Sequence, residues 1–538
     1  LTSEENSGVR KNITKIEVAD PGFVNFTVSD YFLCTNLDLV LSEKGSYGKV
    51  LSDTRRKTVV EYSSPNIAKP FTIGHLRSTV IGDAVANILE FNGYQVFRDN
   101  HLGDWGTQFG KLIVALRKLG QGSLENNLAK INLAENPVKE LVALYIEFHK
   151  LADSDPSLED EGREWFTRLE KGDEQARELW QKCIEWSWVE FSRIYEQLGV
   201  KFTENEGKGY GESYFEDKMG EVLEELKAKN LLVDGKDGAQ LVFFEGNKLP
   251  PLMILKKDGS TLYATRDLAT DKFRLEKYGS DIWVINEVGA EQELYFRQLY
   301  ELERMLGWYK SDQRVHIKHG HFRFKEGKMS TRKGNVIWLE DVLDEAIKKA
   351  RQVMEEVDKG SELTEDEKQS LSEVVGIGAL KWNDLKGSTQ REILFDWNEM
   401  LNMQGNSGPY VQYTYARAKS VLVKAEVSRL SELQYSEKVD LMEIVLNEEE
   451  RAVLVWLWRF RTSVERAATE LAPHLIAGYI YELAQRFNTF YNKHSILKVE
   501  PSERRAEVLR FRIALTSGVA EVLKTGLGLL GIEAPERM

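Results

Sequence analysis

Lys57 to His101 reads KTVVEYSSPNIAKPFTIGHLRSTVIGDAVANILEFNGYQVFRDNH. A β-branched run, Thr58 to Val60, enters a Ser/Pro/Asn turn, the pattern of a buried strand giving way to a loop. Leu76, Val80, Ile81, Ala84, Ile88 and Leu89 then recur at helical spacing, Gly93 ends the helix, and Tyr94 to Arg98 alternates apolar and polar side chains. Strand, loop, helix and strand in that order predict a right-handed βαβ unit and the beginning of a parallel sheet.

Outward from this unit the pattern changes twice. Residues from about 108 to 200 are charged and helix-rich, with RELWQKCIEWSWVEFSRIYEQL (Arg177 to Leu198) the most regular amphipathic stretch, and read as an insertion into the sheet. A second insertion, about 208 to 260, carries Gly- and Asp-rich turns at Asp234 to Gly238 and Lys256 to Ser260 between hairpin-like strands. DIWVINEVG (Asp281 to Gly289) then reads as a buried strand whose helix follows at once, a second βα crossover. From about residue 346 every segment has helical period, which predicts an all-α C-terminal bundle over 346–538 after an α/β domain over 56–345. Residues 1 to 55 hold one strand-like run, GFVNFTVS (Gly22 to Ser29), and a helix-like run after it, too little for a domain.

A chain of 538 residues, 42% hydrophobic and 29% charged, has material for several packed domains and excludes both a small binding module and a disordered chain. Its formal net charge of −14 requires any nucleic-acid contact to come from a locally basic surface. Cys34 and Cys183 are far apart and in no C-x-x-C pair, so no cysteine-based zinc site or disulfide framework is expected and both read as buried thiols. The first thirty residues lack an apolar signal core and no long apolar run follows, so a cytoplasmic enzyme without a membrane span is the expectation. Leu1 is not methionine, which points to residues missing before it.

Two segments carry chemistry. In SSPNIAKPFTIGHLRST (Ser63 to Thr79), Gly74 and His75 open a helix whose free N–H groups and partial positive charge suit an anion, and Lys69 adds a full charge. In FKEGKMSTRKGNVIWLEDVLDEA (Phe324 to Ala346), Lys328, Arg332 and Lys333 lie between glycines in a cationic loop suited to closing over a triphosphate. Together they resemble the HIGH and KMSKS signatures of class I aminoacyl-tRNA synthetases, which lie in the nucleotide crevice of a Rossmann-like sheet. Within that class the chain resembles arginyl-tRNA synthetases over most of its length. The blocks EYSSPNIAKPF, NHLGDWGTQFG (Asn100 to Gly110), YATRDLA (Tyr263 to Ala269), VGAEQ (Val288 to Gln292), FDWNEMLNMQGNSGPYVQYTYAR (Phe395 to Arg417) and the terminal LLGIEAPERM carry the match in order.

The resemblance implies a ligase that joins L-arginine to tRNA(Arg) through arginyl-adenylate, with ATP and its Mg²⁺ as cosubstrate and activation that waits for tRNA. A guanidinium needs carboxylate acceptors in a fixed fork and an aromatic wall, and Tyr263 and Asp267, four apart at a helix start, share one face. By resemblance these two take the arginine side chain, and Ser64, Asn66, His75 and Gln292 its backbone groups or surroundings, with Glu61 a further acidic contact. Thr72, Gly74, His75, Lys328, Met329, Ser330 and Arg332 are implied at ATP, and Lys69, His75 and Lys328 in catalysis. The signatures depart from the class pattern at Thr72, where a hydroxyl replaces the first histidine, and at Thr331, where the second lysine is absent; arginyl enzymes commonly lack that lysine and Lys69 is the implied substitute. Tyr295 stands where many relatives have histidine.

The C-terminal bundle resembles an anticodon-binding domain, with Tyr410, Gln412, Tyr413 and Arg417 as implied tRNA contacts. GFVNF resembles the end of the family's N-terminal tRNA-binding domain, so residues 1–55 are expected to be a remnant of that domain plus a linker. A monomer is expected. A cysteinyl-type synthetase is disfavoured by the lack of zinc-ligand cysteines. A non-catalytic tRNA-binding paralogue, suggested by Thr72, is disfavoured by the pocket carboxylates.

Overall fold

The computed structural model describes residues 11–50, 56–235, 238–257, 259, 261–324, 337–357, 363–427, 445–500 and 504–538. Strand β1 (Lys57–Glu61), helix α1 (Ile73–Phe91) and strand β2 (Gln95–Asp99) form the expected unit, with Val59 opposite Phe97 in parallel register. Beyond Lys57, β1 is buried from Thr58 through Glu61, as a central parallel strand covered on both faces must be. Helix α1 stops where Asn92 returns its amide to the carbonyl of Ile88 and Gly93 turns at a φ of +81°. Further on, helix α2 (Tyr263–Tyr278), strand β3 (Trp283–Gly289), helix α3 (Glu293–Leu306) and strand β4 (Arg314–His319) complete a four-stranded parallel sheet in the order β2-β1-β3-β4. The chain leaves β1 toward β2 on one side and enters β3 on the other, so the crevice outside the carboxyl ends of β1 and β3 is the sheet's switch point.

Between β2 and α2 lie the two insertions. Thr107–Lys118, Leu124–Leu133, Pro137–Ala152, Ser157–Glu170 and Glu174–Gln197 are helices, and Val233–Asp234, Gln240–Val242 and Leu252–Leu255 make a small antiparallel sheet. Helix α1 packs so closely on the loop after β1 that a side chain at Gly82 would come within 2.2 Å of Tyr62. Glycine is what lets the helix sit there. No helix among the described residues is long and apolar enough to cross a membrane.

The C-terminal region is helical throughout its major elements, from Glu365–Leu385 and Gly408–Val427 to Pro473–Lys493 and Arg505–Leu529, around Leu457, Ile480, Phe487, Val519 and Leu523. Residues 11–50 differ from expectation. Ile13–Ala19 adds an antiparallel partner to Phe23–Val28, and the helix Asp30–Glu43 is no linker. Its Leu33, Leu37 and Val40 are fully buried, and Tyr47 just beyond it donates to the carbonyl of Leu457, so this stretch is part of the bundle core. Cys34 and Cys183 are both buried free thiols, pushed up to about 12 by burial.

Candidate active site

The start of α1 is tied to the segment that follows the cationic loop. Ile73 N–H donates to the carbonyl of Ile337 and Leu339 N–H to that of Phe71, at 3.2 and 2.8 Å, so the loop's return end is held against the helix start. Lys328, Met329, Ser330 and Arg332 themselves lie outside the described residues. Thr72 and His75 close a reciprocal cap: the Thr72 N–H donates to His75 Nδ1 at 3.0 Å. An N–H can only donate, so Nδ1 is the bare nitrogen and the neutral ring carries its proton on Nε2. His75 stacks on Phe71 with ring centroids 5.3 Å apart, and burial, aided by His319, pushes its pKa down to about 4. The ring is therefore a neutral donor at physiological pH. The Thr72 hydroxyl, expected at a phosphate, lies 3.1 Å from the same Nδ1.

Ser64 and Asn66 stand exposed on the loop after β1, and Lys69 is half-buried beside the helix start. This loop is laced to the one after β2: Ile67 N–H donates to the Gly103 carbonyl and Gly103 N–H to that of Pro65, both at 3.1 Å. A Cβ at Gly103 would meet Asn66 Oδ1 at 2.3 Å, so only glycine allows the Asn66 amide its place.

The candidate side-chain pocket forms where α2 begins. Tyr263 is 55% exposed and Asp267 follows one turn later, on the shared face the spacing predicts. Tyr295, whose phenol burial and the Asp267 charge keep protonated, donates to Asp267 Oδ2, and its ring meets that of Tyr263 edge to face at 4.7 Å. On the other side, His101 Nε2 lies 3.7 Å from Asp267 Oδ1 while its Nδ1 is 2.9 Å from the Tyr210 carbonyl. Glu212, raised to about 6 by burial, holds Arg266 at 3.2 Å beside Glu216 at 2.9 Å. Gln292 is exposed at the start of α3. The pocket is thus an acidic recess with an aromatic wall, suited to a planar cation.

His101, Tyr295 and Glu212 join the site from three separate segments. His101 stood inside the quoted NHLGDWGTQFG block and Tyr295 was marked as a departure, whereas Glu212 is one acid among many with no periodic signal. Glu61 needs correcting. Its Oε2 is 2.5 Å from Arg274, which also takes Asp99 at 2.8 Å and Asp271 at 3.1 Å, deep under the strand ends. Burial acts to raise the Glu61 pKa, and Arg274 and His101 overcome it and hold the carboxyl below its ordinary value. That carboxylate is committed to an internal ion cluster rather than offered to a ligand.

In the bundle, Arg417 lies over the rings of Tyr413 and Tyr491 at 4.8 and 4.9 Å and donates to Asn488. Tyr410 accepts from the Asn488 amide at 3.0 Å. Gln412 does not belong with them: it is fully buried, and its amide donates to the carbonyls of Val374 and Glu533 at 3.2 and 2.9 Å. It faces inward because it sits one step round the helix from Tyr413.

Comparison with known proteins identifies the family. Residues 36–397 match the family of class I (R) tRNA synthetase catalytic domains, and 411–538 match the DALR anticodon-binding domain. The chain is 41% identical over 527 residues to the arginine–tRNA ligase of Clostridioides difficile (strain 630), covering 98% of this chain and 88% of that protein. It is 40% identical over 530 residues to that of Clostridium perfringens (strain 13 / Type A), covering 98% and 89%. Arginyl-tRNA synthetase from Plasmodium falciparum superposes with a TM-score of 0.77 at 25% identity, over 98% of this chain and 86% of that one. The Thermus thermophilus enzyme shares the fold, with a TM-score of 0.76 at 22% identity over 98% and 89%. With a catalytic match over most of its length and an anticodon-binding match behind it, the chain belongs to the arginyl-tRNA synthetases of class I.

Proposed function

We propose that the chain binds L-arginine and ATP·Mg²⁺ in the crevice at the carboxyl ends of β1 and β3, forms arginyl-adenylate there and charges tRNA(Arg). A carboxylate oxygen of arginine attacks the α-phosphorus, the bond to the bridging oxygen breaks, and pyrophosphate leaves with its magnesium. A ribose hydroxyl at the tRNA 3′ end then attacks the arginyl carbonyl, and AMP departs. The protein's part is positioning and charge stabilisation.

The free N–H groups at the start of α1, with Gly74 open to approach, and the Nε2–H of His75 face developing negative charge on the phosphates. Lys69 adds a cation, and Lys328, with Met329, Ser330 and Arg332, completes the charge from outside the described residues. Thr72 contributes through the His75 orientation. Ser64, Asn66 and Gln292 take the amino and carboxyl groups of arginine, and Tyr263 and Asp267 its guanidinium. Tyr410, Tyr413 and Arg417 contact tRNA, which also triggers activation; the protein works as a cytoplasmic monomer.

The observation that supports this reading most is the Asp267 carboxylate, set by Tyr295 and walled by Tyr263. Arginine-dependent ATP/pyrophosphate exchange, with and without cognate tRNA, tests it. Exchange that appears on adding tRNA supports the whole scheme. Exchange without tRNA removes the trigger, and none in either case, despite tRNA binding, removes the activity.

A further inference from the structure

His101 stands in the recess between the Tyr210 carbonyl and the Asp267 carboxylate. Its Nδ1 lies 2.9 Å from the carbonyl of Tyr210, an oxygen that can only accept, so Nδ1 carries a proton. A neutral ring would then aim the lone pair of Nε2 at Asp267 Oδ1, 3.7 Å away, and lone pair against carboxylate is repulsive. Nε2 is buried and has no hydrogen-bond partner among the described residues, while the side chain as a whole is 12% exposed. A second proton turns the repulsion into attraction. The groups facing the ring favour it: Glu61 at the end of β1, Asp104 on the loop after β2, Glu212 in the turn beyond the helical insertion and Asp267 on α2. Phe215 is the ring packed on it, at 5.8 Å, and the cations Arg266 and Arg274 are already held by Glu212 and Glu216, and by Glu61, Asp99 and Asp271.

We propose that His101 is the resident counter-cation of the arginine pocket, and that the incoming guanidinium takes over Asp267 and expels the Nε2 proton of His101 to solvent. The proposal rests on the reading of Asp267 as the guanidinium acceptor. Two cations cannot share one carboxylate at close range without cost, and the guanidinium cannot lose its proton, so the imidazolium must. The deprotonated Nε2 then offers its lone pair to one of the guanidinium N–H groups, and the orphaned buried nitrogen becomes an acceptor within the fork. Burial alone would lower the His101 pKa, but Asp267, Glu61 and Glu212 hold it up to about 10 in the empty pocket, so a proton is there to be expelled.

Proton release on binding is measured by titrating arginine calorimetrically into the tRNA-bound full chain, in two buffers of different ionisation heat at about pH 8, where carboxylates are ionised. The unaltered protein is expected to release about one proton more per arginine than His101→Asn, which keeps a donor for Tyr210 but cannot carry charge. Its arginine affinity should also strengthen with pH more steeply than the variant's, by up to about tenfold per unit. His101→Gln repeats the comparison should the asparagine variant fold poorly. Equal proton counts in wild type and both variants overturn the exchange. Asp267→Asn in the same titration separates the two readings: if it weakens arginine while proton counts stay equal, only the exchange falls, and if it leaves arginine affinity unchanged, the pocket itself falls.

Discussion

Tyr295 and Asp267 form one hydrogen-bonded unit: the phenol donates to Oδ2 and so fixes the plane of a carboxylate that stands one helical turn from Tyr263. An acceptor held in plane meets a guanidinium without first paying to be ordered. Asp267→Asn removes the charge and one acceptor and is expected to raise the arginine KM by about tenfold to a hundredfold, the equivalent of one charge-assisted hydrogen bond, with the ATP KM unmoved. Tyr295→Phe loosens the carboxylate only, and its effect should be several-fold, about 1 kcal/mol. Both constants come from pyrophosphate exchange at varied arginine and ATP. An unchanged arginine KM in Asp267→Asn removes the residue from the pocket.

His75 links the active site to acid stability. Its folded pKa of about 4 lies below the ordinary 6.5, so between those values the unfolded chain binds a proton that the folded protein refuses. Stability conferred by the neutral ring is whole above about pH 6.5 and is lost as the pH falls toward 4. Urea denaturation of wild type and His75→Gln across this interval should give curves that converge on the acid side. Parallel curves would mean that the ring titrates normally.

Lys69 stands just before the helix start, and its proposed role at the phosphates should separate from arginine binding by kinetic constant. Lys69→Ala is expected to lower the activation rate by more than about tenfold while the arginine KM holds, since a charge that acts on the phosphates in the transition state is absent from arginine binding. A wild-type rate would remove its phosphate role.

Much of this architecture was legible in the sequence because burial imposes periods. The β-branched run of β1, the helical spacing of α1 and the four-residue separation of Tyr263 and Asp267 are local, and each is a property of one element. What was not legible depends on partners distant in the chain. Glu61 looked free for substrate because its partner Arg274 lies 213 residues away. Gln412 was grouped with its aromatic neighbours because composition cannot say which face of a helix turns inward, and its carbonyl partner at Glu533 is 121 residues on. His101 became meaningful only when Tyr210 and Asp267 were folded against it. The helix Asp30–Glu43 falls in the stretch expected to be a domain remnant plus a linker, because its apolar face meets its partners only when the helices Glu448–Trp458 and Arg505–Leu529 arrive.

Arg274 draws the ends of β1 and β2 onto α2 through Glu61 and Asp99, with Asp271 one turn away on α2 itself, all in the protein interior. Removing one member of such a cluster strands the others uncompensated. Arg274→Met is therefore expected to cost about 3–5 kcal/mol in urea unfolding, and adding Glu61→Gln to it should recover part of that loss. A double variant no more stable than the single would show that Glu61 is not the carboxylate being neutralised.

Arg417 and Gln412 lie five residues apart on the helix Gly408–Val427 and make opposite predictions. Arg417 is braced over Tyr413 and Tyr491, and a guanidinium held by two rings can meet a phosphate or stack under a base. Arg417→Ala should weaken tRNA binding and reduce the magnitude of the log affinity against log salt slope by about one, the signature of a lost phosphate contact. Gln412→Ala takes the side-chain donor from the Glu533 carbonyl and leaves that of Val374 with only its helical partner inside the bundle, at a cost of about 1–3 kcal/mol in stability. Its tRNA affinity, measured by filter binding below the melting transition, should stay within about twofold of wild type because nothing at the surface has changed. A large fall in affinity for Gln412→Ala at unaltered stability would return that residue to the RNA surface and overturn the inward assignment.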